Sequence, residues 1–316
     1  MFSRETFLEL AQISARTCFD TLDWIHAATV ARNSRHWPVA WRARRDQQVA
    51  VLLGAVHLRW GIPVFESMPM GGYGGWYGDV VDSSDLECEW LSRVLFPVVV
   101  LCGRPAAHDD GSGIHRVWPS LSCRHSLQET HILDLEPSAA ELLSSVKPSV
   151  RSYLRRVDQL GFVFSSGGLE LLETFMSIYA SGRKNWLKKP VSDYSVTYFR
   201  ALLHGGNSEI WLVAHEGATV GAAFFVKGDK DVLYMASGVQ KLPGPVSPMD
   251  ALVWSAILDF QRRGYSLFNM GASRGLESVR RFKEKFGARP QTYSRTVYLF
   301  PAFTVALHRL FVWLRS

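Results

Sequence analysis

The segment Leu267–Pro290, LFNMGASRGLESVRRFKEKFGARP, gathers Arg274, Arg280, Arg281, Lys283 and Lys285 around a glycine turn. A short apolar strand, Ser266–Met270, is expected to end at Gly271 and feed a basic helix that closes at Gly287. The first N–H groups of a helix lack intrahelical acceptors and sit at the positive end of its dipole, so such a turn can hold an anion. Arg274, Arg280 and Arg281 would add to that attraction as candidate donor- or phosphate-binding residues. The same residues fit a plainer role, a solvated basic helix that lays Val279, Phe282 and Phe286 on a sheet.

Gly271-Ala-Ser273-Arg-Gly275 has the spacing of a nucleophile elbow in a strand–turn–helix setting. The chain order of that triad requires an acid and then a histidine downstream. After Ser273 the only carboxylate side chains are Glu277 and Glu284, both in the next helix, and the only histidine is His308 in the last helix. A serine hydrolase is therefore not expected.

Three further groups are candidates. Arg151 and Arg155 stand one turn apart on a predicted basic helix, Pro148–Leu160, and share a face. Such a pair can grip a phosphate or carboxylate in fork geometry, or can be an ordinary surface pair near Asp158. Met70–Asp79 holds five glycines and three aromatics, Tyr73, Trp76 and Tyr77. Glycines let backbone N–H groups approach a ligand, and the rings can stack on a base or sugar. A structural loop covering a sheet is the alternative, and the Rossmann spacing fails. Asp79 can orient an amine or serve as a turn or N-cap residue. Gln240–Pro245 lies between a strand and a long helix, but Pro243 and Pro245 remove two N–H donors from it.

The elements that must position these groups read as α/β. Helices are expected near Arg4–Gln12, Thr21–Arg32 and Ser84–Leu95, with a hairpin of Val39–Arg45 and Val49–Leu58. Met70–Gly78 reads as a loop, Ile114–Trp118 and His131–Leu135 as strands, and Ser122–Pro148 as the linker. The pattern then restarts. Helices are expected at Leu169–Ser181, Ser195–Leu203 and Pro248–Arg263, strands at Phe162–Ser165, Ile210–Ala214, Ala218–Val226 and Val232–Ala236, and a last strand ending at Phe300. Phe303–Leu314 has one apolar helical stripe, which reads as core packing, with membrane-surface docking as the alternative.

The 316 residues carry 47% hydrophobic and 20% charged side chains, as in a globular protein with a sizeable core. A net charge of +6 favours anionic partners, though weakly. Cys18, Cys88, Cys102 and Cys123 show no metal spacing, so neither a metal nor another cofactor is expected. Met1-Phe-Ser-Arg-Glu lacks the apolar run of a signal peptide, and no run is long enough to span a bilayer, so a cytoplasmic location is expected.

The second half resembles the Fem-type peptidyl- and aminoacyltransferases and the wider GNAT-like acyltransferases. Val150-Arg151-Ser-Tyr-Leu154-Arg155-Arg156-Val157 followed by Gly161-Phe-Val-Phe is similar to that family's R-x-x-I-R-x-A helix and following strand. Trp211–Ala223 resembles its central hairpin, Met249–Gly264 its helix ending in R-G, and Gly271–Gly287 its G-x-S…L-x-x-F-K-x-x-F-G segment. Met70–Asp79 is similar, more loosely, to a glycine-rich segment ending in aspartate.

The resemblance implies tandem GNAT-like domains, each a mixed, mostly antiparallel sheet flanked by helices, facing each other across a cleft. The expected domains are 1–128 and 129–300, with a helix over 301–316 packing back on the first. It implies an acyltransferase that moves an aminoacyl group from aminoacyl-tRNA to an amine, on a cell-wall precursor or small metabolite. An acyl-CoA donor and a non-catalytic GNAT-fold binding protein are the alternatives. By the same resemblance Lys283 acts electrostatically near the phosphates or the reacting carbonyl, with Asp79 as second catalytic residue. In the family an arginine of the helix matching Pro148–Leu160 contacts a nucleotide-linked acceptor, and Arg151, Arg155, Phe282, Tyr73, Trp76 and Tyr77 are the expected substrate-binding residues, for an acceptor that could be nucleotide- or lipid-linked.

Overall fold

The computed structural model describes residues 17–45, 48–78, 91, 96–105, 122–184, 194–240, 242 and 247–299. In chain order the elements are α1 Leu22–Arg32, β1 His36–Arg45, β2 Gln48–Arg59, β3 Ile62–Glu66, β4 Gly75–Gly78, β5 Val98–Cys102 and β6 Ser122–Asp134. Then come α2 Ala139–Ser145, α3 Pro148–Leu154, β7 Phe162–Gly167, α4 Leu172–Lys184, α5 Val196–His204, β8 Ser208–His215, β9 Ala218–Lys227 and β10 Asp231–Val239. The last are α6 Pro248–Arg262, β11 Leu267–Asn269, α7 Glu277–Glu284 and β12 Arg289–Leu299. The chain forms two compact units, one of Glu129–Gln291 and one joining the chain before it to the segment from Thr292 onward.

In the first unit α1 begins where Thr21 Oγ1 accepts the Trp24 N–H at 3.1 Å, and it ends at Asn33, whose φ of 46° turns the chain back. β1 and β2 form a long antiparallel hairpin, β2 also pairs with β3 and β4, and β3 runs parallel to β5. Val39, Leu52, Phe65, Trp76, Val99, Leu101 and Tyr298 make its core.

The second unit is a meander of β7, β8, β9 and β10, all antiparallel, extended by β11 parallel to β10 and by β6 antiparallel to β11. α6 lies on this sheet. Ser247 accepts from the Asp250 N–H, Pro248 stands in the first turn where no N–H is needed, and Leu252, Val253, Ala256, Ile257 and Phe260 are all buried. Their three- and four-residue spacing keeps one stripe against Trp211, Phe225 and Phe268. Mixed, mostly antiparallel pairing with flanking helices is the α/β arrangement expected from the sequence.

Three details differ. Ser122 opens strand β6, so the expected linker at Ser122–Pro148 is partly a strand. Gly75–Gly78 pairs with β2 instead of remaining loop, because Trp76 fits the core beside Leu52. The helix expected over Pro148–Leu160 breaks after Leu154 into a 3-10 turn at Val157–Gln159, and Gly161 at φ 68° then redirects the chain. The elements expected at Arg4–Gln12, Ile114–Trp118 and the tail from 301 lie outside the described residues, as does most of Ser84–Leu95.

Helix α4 approaches β10 through two glycines. A Cβ on Gly238 would stand 2.4 Å from the Ile178 carbonyl oxygen and 2.7 Å from the Tyr179 Cα, both backbone atoms that no rotamer change can clear. Gly238→Ala should therefore lower stability by about 2 kcal/mol through overpacking. A urea midpoint equal to that of the parent protein would contradict this contact.

Candidate functional site

Strand β11 ends against β6, and the turn that follows is tied from both sides. Asn269 Oδ1 accepts the Gly271 N–H at 2.9 Å and the Thr130 hydroxyl at 2.7 Å. Gly271 has φ 73°, a conformation that glycine adopts without a Cβ clash. That geometry aims its carbonyl inward, where it accepts the His131 N–H at 3.2 Å and the Lys283 ammonium at 2.6 Å.

Lys283 comes from α7 and is only 3% exposed. Its neighbours on the segment are neutralised locally. Arg280 pairs with Glu284 at 2.7 Å, Arg281 with Glu277 at 2.8 Å and Lys285 with Asp250 at 2.5 Å. Lys283 instead has a carbonyl, with no carboxylate of the described residues within ion-pair distance. Burial pushes its amine down to about 7, opposed by the Glu129 charge and assisted by Arg274. Lys283 is thus a buried amine whose hydrogen-bond partner is a neutral carbonyl.

His131, fully buried on β6, shares the pocket. Its Nδ1 lies 3.4 Å from Ser273 Oγ and 3.9 Å from a Glu129 oxygen, while Nε2 is buried with no partner among the described residues. Burial and the Lys283 charge hold the imidazole below its usual range, with Glu129 opposing. Serine, histidine and acid thus do meet, although the residues after Ser273 could not supply them. They do not form a relay. A relay needs the serine on one ring nitrogen and the acid on the other, whereas both here face Nδ1. Ser273 is also 4% exposed, which closes it to a substrate.

The other sequence candidates are placed as follows. Arg151 donates to the carbonyls of Ser144 and Val146, at 2.5 and 2.8 Å, so it closes the C-terminal end of α2. Arg155 is exposed one turn on, and the two guanidinium groups are therefore differently engaged. Phe282 stacks at 6.4 Å on Tyr234 and lies under the Lys285 ammonium at 4.2 Å. Tyr73 is 2% exposed against Phe19 and Tyr293, and Trp76 is 3% exposed in the first unit's core, so both rings pack. Arg274 is exposed at φ 49° in the turn before α7. Asp79 and the Tyr77 side chain lie outside the described residues, as does most of Gln240–Pro245.

Sequence reading missed Glu129 and His131 because they reach the turn from a strand 142 residues earlier. Their one available signal was alternation: residues i and i+2 of a strand share a face.

Residues 144–284 match the family model of the acetyltransferase (GNAT) domain, a span that covers α3 through α7. The structure is similar to that of FemX over 96% of this chain and 97% of that one, with a TM-score of 0.68 and 13% identity. The chain has the FemX fold. L-PGS from Bacillus licheniformis shares the fold at TM-score 0.54 and 16% identity, covering 98% of this chain and 97% of that one. So does the C-terminal domain of a proposed lysylphosphatidylglycerol synthetase from Agrobacterium fabrum, at 0.55 and 13% with the same coverage. No curated protein sequence matches the chain. No helix of the described residues is long and apolar enough to cross a membrane.

The depressed amine has a stability consequence. The unfolded chain binds a proton on Lys283 up to its ordinary pKa of 10.5, while the folded chain releases it near 7. Between those values the unfolded state binds more protons, so this group lets stability rise with pH. Lys283→Met removes the effect. Its melting temperature should exceed that of the parent most at pH 6, and the gap should narrow toward pH 10. A gap independent of pH would mean that Lys283 titrates normally.

Proposed function

We propose that the chain is a Fem-like acyltransferase that forms an amide by moving an aminoacyl group from aminoacyl-tRNA to an amine acceptor. The acceptor would be a cell-wall precursor or a small metabolite. The observation that carries this reading is the buried Lys283 ammonium on the Gly271 carbonyl, within a chain that has the FemX fold. The acetyltransferase-domain match over residues 144–284 and the resemblance to L-PGS support acyl transfer as the chemistry.

Acyl transfer to an amine develops negative charge on the carbonyl oxygen, and preorganised positive groups lower that barrier. Lys283 is too buried to lie on a surface substrate, but it acts on the peptide unit it holds. A cation bonded to the Gly271 carbonyl polarises the Gly271–Ala272 peptide and strengthens the Ala272 N–H as a donor. Ala272 is exposed, so that N–H can meet a reacting carbonyl. Arg155, exposed at the C-terminal cap of α3 beside the engaged Arg151, is available to an anionic acceptor, and the exposed Arg274 to the donor; Arg280 and Arg281 could reach the donor by exchanging their glutamate partners for its phosphates. Asp79 and Tyr77 keep the acceptor roles that the Fem resemblance implies.

A second reading has a lipid acceptor in place of the amine. The proposed lysylphosphatidylglycerol synthetase from Agrobacterium fabrum favours it, at a TM-score below that of FemX.

Lys283→Met should lower kcat by about tenfold, less than the roughly 10²–10³-fold loss that follows deletion of an oxyanion donor itself, because the Ala272 N–H remains; KM for either substrate should change little. Steady-state kinetics on the folded variant check this, and an unchanged kcat would remove Lys283 from the mechanism.

The donor is tested separately. Product formation from charged tRNA should stop on RNase treatment, and apparent tRNA affinity should fall steeply with salt as phosphate contacts release counterions. RNase-resistant turnover with acyl-CoA alone would replace the donor and leave the acyl-transfer reading standing.

A further inference from the structure

The first unit contains a second set of buried polar groups that acyl transfer does not use. His36 on β1 and His57 on β2 are direct cross-strand partners. Their rings stack 4.7 Å apart, and each residue is 5% exposed. Glu66, at the end of β3, faces them, and one ligand atom from each of the three residues lies within 4.8 Å of the others.

Two features set this group apart from a packed histidine pair. His36 Nε2 and His57 Nδ1 are buried with no hydrogen-bond partner among the described residues. Buried imidazole nitrogens are normally paired, so each of these needs an occupant. The outer contacts are also those of a ligand set. His36 Nδ1 lies 2.6 Å from the Ser34 carbonyl oxygen, which fixes the proton on Nδ1 and leaves the Nε2 lone pair free. Arg32 donates to Glu66 Oε2 at 2.8 Å, which orients the carboxylate and leaves Oε1 available.

We propose that His36, His57 and Glu66 bind a divalent transition-metal ion, with zinc the best match. Two imidazoles and a carboxylate are the ligand types of a three-residue zinc site, whose fourth position goes to water. A tetrahedron with ~2.0 Å bonds has ligand edges of ~3.3 Å, so the ligand atoms would draw together on binding from their present separation of within 4.8 Å. The ion would tie β1, β2 and β3 together beside the end of α1. The sequence expectation of no metal rested on cysteine spacing, and three strands of a sheet supply these ligands without a local motif.

The test uses the full chain, stripped with EDTA, desalted and mixed with Zn²⁺. Expected are one retained zinc per chain by mass spectrometry after gel filtration, a higher melting temperature with zinc, and visible bands of tetrahedral Co²⁺ when cobalt replaces it. His57→Gln and Glu66→Gln should each lose the retained metal and the thermal shift. Glu66→Gln covers the case in which His57→Gln does not fold. A parent chain that keeps no zinc and shows no shift overturns the site, as does full retention in either folded variant.

Discussion

The hydrogen bond from the Lys283 ammonium to the Gly271 carbonyl depends on nearly everything around it in the second unit. A lysine at 3% exposure without a carboxylate partner is unfavourable by itself, because burial disfavours the charged form. It persists because the turn is over-determined. Asn269 holds the Gly271 N–H, Thr130 holds Asn269, and β6 accepts and donates across Met270 and His131. Strained or costly arrangements that a scaffold enforces this tightly are common where a protein acts on a ligand.

The electrostatics of α7 separate that role from a general basic face. Its arginines are exposed and matched one turn away by glutamates of the same helix, so their long-range field is reduced and screened by salt. Lys283 is buried and bonded to a carbonyl dipole, so the charge of its protonated form is little screened by solvent. His131 beside it, lowered in proton affinity by burial and the Lys283 charge, is a second buried titratable group at the turn.

Much of this was legible in the residues. The apolar spacing of Leu252, Ala256 and Phe260 marked α6, Glu216-Gly217 marked the hairpin between β8 and β9, and Phe282-Lys283 singled out the lysine. What was not legible depends on tertiary approach. Whether Tyr73 and Trp76 face a ligand or a core is decided by Phe19, Tyr293 and Leu52, which arrive from other strands and loops. Arg151 looked free to bind an anion because the α2 carbonyls it closes belong to a helix the sequence had read as linker. His131, and likewise His36 with His57 and Glu66, meet their partners only through strand register.

The central claim is that Lys283 is a buried amine with a proton affinity far below that of a surface lysine. The most direct measurement is an NMR titration of ¹³Cε and ¹⁵Nζ lysine resonances, with the Lys283 signal assigned by its absence in Lys283→Met. The account predicts a titration midpoint near 7 for that signal, against 10.5 for an ordinary lysine. A Lys283 signal that titrates with the surface lysines would contradict it.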